Sequence, residues 1–147
     1  MKPFTLARVL QLAERRSETQ VREVKSAHGV WLRARGRLVQ LTALRNAHIA
    51  HFAIELRSGV SAAQLQEKNR LQAAQADEIH AAQAAIDTAH AAWQTRLAEW
   101  LRLEQKVKAL RLLEQRYLAQ VAIQQRRVEQ RQHDELVELT YAGRRGR

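Results

Sequence analysis

Small and apolar side chains recur along this chain at alternating steps of three and four residues, and that period leaves little choice of fold. From Leu6 the stripe runs Leu10, Ala13, Ser17, Gln20, Val24, Ala27, Trp31, Ala34, Leu38 and Leu41. A mean spacing of about 3.5 residues lines up one face of a helix and favours left-handed supercoiling against a partner helix. Polar Ser17 and Gln20 are faults in that seam. The stripe returns as Ile79, Ala82, Ile86, Ala89, Trp93, Arg96, Trp100, Leu103, Val107, Leu110, Glu114, Tyr117, Val121, Gln124 and Val128. The only proline, Pro3, lies ahead of both runs, where it breaks no helix.

Between the runs the apolar residues Leu44, Ile49, Phe52, Ile54 and Leu56 spread around the helix, and then comes Arg57-Ser58-Gly59-Val60-Ser61. Gly59 suits the left-handed position after a helix end. Ser61 with Gln64 three residues on forms a capping box for a new helix. The expectation is an all-α fold, with two long helices in an antiparallel coiled-coil hairpin. Helix one covers about residues 4–57, the turn about 57–61, and helix two about 62–141. Residues 1–142 form a single hairpin, and 143–147 a disordered basic tail. At 1.5 Å per residue the helices measure roughly 80 and roughly 120 Å, so the second is longer. Folding back near Gly59 sets Trp31 close to Trp93 and lets Leu10 reach only the region of Arg111. The end of helix two then overhangs, with Val121, Val128, Leu136 and Leu139 unpaired. An apolar stripe on an unpaired helix needs a partner.

Composition narrows the function classes. Apolar residues make up 46% of the chain but aromatics only 5%, so alanine inflates the count and a large globular core has little to draw on. Cysteine is absent, which removes disulfides and thiolate metal sites. No run approaches the roughly 18 apolar residues of a membrane span. The opening residues lack the apolar stretch of a signal peptide, so the default compartment is the cytoplasm. No glycine-rich phosphate loop occurs, and a two-helix hairpin encloses no pocket for catalysis. Asp134 and Glu135 are adjacent and diverge by about 100° on a helix, so they make no acid/base pair. His48 and His51 share a face but find no third ligand, so neither metal nor cofactor is expected.

The formal net charge is +10, from 25 Lys and Arg against 15 Asp and Glu. Such a charge draws acidic partners. Arg15, Arg16, Arg22, Lys25, Arg33, Arg35 and Arg37 recur along helix one, and Arg126, Arg127 and Arg131 lie near the far end of helix two. No aromatic stacking platform or base-reading module accompanies them, so a cationic pole for an acidic protein socket is favoured over nucleic acid.

The run Gln125-Arg126-Arg127-Val128-Glu129-Gln130-Arg131-Gln132-His133-Asp134-Glu135-Leu136 resembles the C-terminal signature of the FliJ family, chaperone-like components of flagellar type III export. Glu99-Trp100-Leu101-Arg102-Leu103-Glu104-Gln105-Lys106-Val107-Lys108-Ala109-Leu110 is similar to that family's Trp-containing segment. The opening Pro3-Phe4-Thr5-Leu6 through Val9-Leu10 and the position of Gly59-Val60 also fit, so the resemblance spans nearly the whole chain. It implies a non-enzymatic stalk, like the injectisome proteins of the YscO type. Such a stalk inserts its joined termini into the pore of a hexameric export ATPase and promotes ring assembly. It also contacts the export-gate membrane protein and recycles export chaperones, serving flagellum biogenesis and motility. The implied location is peripheral, at the cytoplasmic face of the inner membrane.

By motif match the resemblance assigns Arg126, Arg127, Val128, Asp134, Glu135 and Leu136 to the ATPase. By ungapped spacing it assigns Arg37, Leu41, Leu44 and His48, with Leu71, Gln75, Glu78 and Ala82, to the gate. The family is richer in aromatics there, and Gln75 and Glu78 are more polar than its pattern. Leu41, Leu44 and Leu71 could equally close the hairpin seam. An injectisome stalk, another structural coiled coil, or a basic nucleic-acid or membrane-surface binder are the alternatives.

Overall fold

The computed structural model describes residues 3–146. It holds two helices, α1 (Ala7–Ser58, 52 residues) and α2 (Ala62–Arg145, 84 residues), and no strand among the described residues. Both are built from good helix formers, with no proline inside either to break the ladder. The helices pack antiparallel, and α2 is the longer.

The turn follows the local chemistry. Gly59 closes α1 at φ 86°, and its N–H donates to the Leu56 carbonyl at 3.2 Å. The Ser61 N–H donates to Gln64 Oε1 at 2.9 Å while the Gln64 N–H donates to Ser61 Oγ at 3.1 Å, which is the reciprocal capping box. Both helix ends differ from the expected bounds. α1 begins at Ala7 instead of about residue 4, because Phe4 is held outside the helix against the Tyr117 ring, 5.7 Å away. α2 runs on to Arg145, so residues 143–145 are helical where a disordered tail was expected. Arg144 and Arg145 favour the negative end of the helix dipole, and the Gly146 N–H closes the last turn on the Ala142 carbonyl at 3.2 Å. Arg147 lies outside the described residues.

Contacts divide the chain into two units. One comprises Met1–Ser17 with Arg102–Arg147. Its core is Leu10, Ala13, Val107 and Leu110, with Leu6 and Leu103 packed against them, and Val107 is wholly buried. Ser17 Oγ donates to the Glu104 carboxylate inside this seam, so a polar position found a partner. Arg111 reaches Glu14 across the helix pair at 3.2 Å, an exposed bridge of small worth.

The other unit is Glu18–Leu101. Here Leu41 packs with Ile79 and Ala82, flanked by Leu38. Trp31 and Trp93 stack at 5.2 Å and 18°, the pairing expected from the fold-back point. His28 and His90 close on the two indoles at 4.7 to 5.8 Å, and Arg35 lies 4.8 Å over Trp31. Arg96, read as a seam position, is exposed and pairs with Glu23 at 3.0 Å.

Candidate functional site: the free end of the second helix

Pairing of α2 with the start of α1 ends near the Phe4–Tyr117 contact. Val121 is half-buried, and every residue from 122 to 146 is exposed although helical to Arg145. The heptad line therefore leaves its partner and continues bare through Gln124 and Val128. Val128 is 52% exposed, Leu136 64% and Leu139 69%, so none of the three packs into a core. All six residues assigned to the ATPase lie here: Arg126, Arg127, Val128, Asp134, Glu135 and Leu136. Leu136 also borders a shallow groove of about 290 Å³ with His133, Val137, Thr140, Tyr141 and Arg144.

The residues assigned to the gate do not stay together. Leu41 and Gln75 are buried in the helix–helix seam, and Gln75 Nε2 meets His48 Nδ1 there. Those three make contacts within the hairpin. The cause is their heptad position: 41 and 48 on α1, like 75 and 82 on α2, are seven apart and point inward. Arg37, Leu44 and Leu71 remain exposed, and a groove of about 300 Å³ lined by Arg37, Leu41, Glu78, Ala81 and Ala82 lies beside them.

Two features escaped apolar counting. The seam continues toward the turn through Arg45, His48 and Glu55 with Phe52, all half-buried, where polar side chains hide the period. His28 and His90, isolated in sequence, belong to the tryptophan cluster. His48 and His51 go separate ways, His51 pairing with Glu55 at 3.0 Å. Among the described residues no group of three or more His, Asp or Glu is placed to hold a metal ion, and no helix is long and apolar enough to cross a membrane.

Fold and free end together define a helical-hairpin protein with an exposed helical extension. Residues 1–146 match the family described as Flagellar FliJ protein, and the chain belongs to that family. This makes it a flagellar, export-related protein of the stalk type. Comparison with curated proteins and with solved structures gave no match.

Proposed function

We propose that the chain is the stalk of the flagellar type III export ATPase. Its free α2 end, with the start of α1 beside it, enters the central opening of the hexameric ring and favours ring assembly. Arg126, Arg127, Val128, Asp134, Glu135 and Leu136 make that contact. Arg37, Leu44 and Leu71, nearer the turn, meet the export-gate membrane protein at the cytoplasmic face of the inner membrane, and export chaperones dock on the same stalk.

The observation that carries the reading is a helix continuing through residues 122–145 with every residue exposed and apolar side chains among the arginines. A helix without tertiary packing is marginal in water, so this segment is suited to being covered. Arginines beside apolar residues fit a socket that is acidic at its rim and apolar within.

The test mixes the chain with purified export ATPase. The hexamer fraction and ATP turnover should rise. The double variant Arg126→Glu/Arg127→Glu should bind at least about tenfold more weakly, as reversed charges do at a complementary interface, with helicity unchanged by circular dichroism. A wild-type chain that changes neither assembly nor turnover overturns the proposal.

A further inference from the structure

In the unit formed by Met1–Ser17 and Arg102–Arg147, the paired stretch sorts its charges between two flanks. Successive residues of a helix turn by about 100°, so the buried line fixes the bearing of every other side chain. That line is Leu10, Ala13 and Ser17 on α1, with Leu103, Val107 and Leu110 on α2. To one side of it runs the bridge from Arg111 to Glu14. A quarter to a third of a turn the other way lie Val9, Leu12 and Arg16 on α1, and Arg102, Lys106 and Leu113 on α2. The helices are antiparallel, so these six share one flank, opposite the bridge.

All six are exposed, Val9 by 40%, Leu12 by 54% and Leu113 by 42%. The Glu14–Arg111 and Phe4–Tyr117 contacts fix the level of the helices. Val9 then stands beside Leu113, and Arg16 beside Lys106, each within a turn. No acid of the paired stretch falls on this flank. Glu14 goes to the bridge, Glu104 accepts from Ser17, and Glu114 is half-buried at the seam. Among the described residues Arg16, Arg102 and Lys106 form no ion pair, so cations stand abreast with nothing to neutralise them.

Two helices side by side make a flat strip, here aliphatic at its centre and cationic around it. An anionic bilayer surface answers both halves of that pattern. Aliphatic side chains enter among the headgroups, and long basic stems carry their charge to the phosphates. A nucleic acid would neutralise the cations but leave the aliphatic centre in water.

We propose that this flank docks the chain on an anionic phospholipid surface, with α1 and the facing stretch of α2 lying flat along it. The proposal rests on neither the ring contact nor the gate contact assigned above.

Co-sedimentation of the full chain with vesicles tests it. Phosphatidylcholine vesicles holding about 30% phosphatidylglycerol should bind it at least about tenfold more tightly than phosphatidylcholine alone. Raising the salt from about 50 to about 500 mM should weaken that binding. Net charge draws any basic chain to such vesicles, so the position of the charge decides. Arg16→Glu/Lys106→Glu should weaken binding at least about tenfold, each basic residue near the surface being worth roughly a fivefold factor. Arg8→Glu/Lys108→Glu lowers the net charge equally but away from the flank, and should weaken it no more than about threefold. The chain has no cysteine, so Leu12→Cys accepts a single polarity-sensitive fluorophore. Its emission should shift to the blue on the anionic vesicles, and the same probe at Gln115→Cys, away from the flank, should not shift. Four results overturn the proposal: no preference for anionic vesicles, equal loss in the two charge-reversed pairs, no blue shift at Leu12→Cys, or tighter binding to duplex DNA than to the vesicles at the same salt.

Discussion

Gly59 bears the turn at φ 86°, the only positive φ among the described residues. A side chain there would strain the backbone by roughly 1 kcal/mol, so Gly59→Ala should lower unfolding free energy by about that amount in a denaturant titration. Val107, wholly buried between α1 and α2, is the other sensitive point. Val107→Ala removes two methyl-sized groups and leaves a void, and we expect a loss of about 2 kcal/mol by the same measurement. Both residues were legible in the sequence, Gly59 from its turn context and Val107 from the heptad. Ser17 was legible only as a fault. Its partner Glu104 lies on the other helix, and no local pattern connects residues so far apart. Arg45, His48 and Glu55 hold seam positions that an apolar count passes over, because their burial depends on what faces them.

At the scale of the element, α2 divides where α1 stops facing it. The heptad predicted the stripe to Val128, and fold-back at Gly59 predicted the overhang, so periodicity and one turn gave most of the architecture. The end of α2 was less readable. Residues 143–147 were expected to form a disordered tail, yet the helix reaches Arg145. Residues 122–145 have helical hydrogen bonds and no packing, so they should open locally long before the hairpin unfolds. Hydrogen exchange in dilute solution should show their amides exchanging orders of magnitude faster than those around Val107 and Leu110. Equal protection along α2 would mean the free end is covered. The residues of the gate stripe fall in two environments. The family resemblance grouped Leu41 and Gln75 with Leu44 and Leu71, and heptad position sends the first two inward and leaves the others exposed.

For the molecule as a whole, the hairpin and the free end are separable in energy. The cores around Val107 and around Leu41 lie N-terminal to residue 118, as do the tryptophan stack and the capping box. Removing residues 118–147 should therefore leave a folded hairpin with a nearly unchanged thermal midpoint. The same deletion tests the stalk role most directly, by binding to purified hexameric export ATPase beside the full chain. A contact made by the free end predicts that the truncated hairpin, still helical and cooperatively folded, neither binds the ring nor raises its hexamer fraction. A truncated hairpin that binds and stimulates the ring as well as the full chain would contradict it.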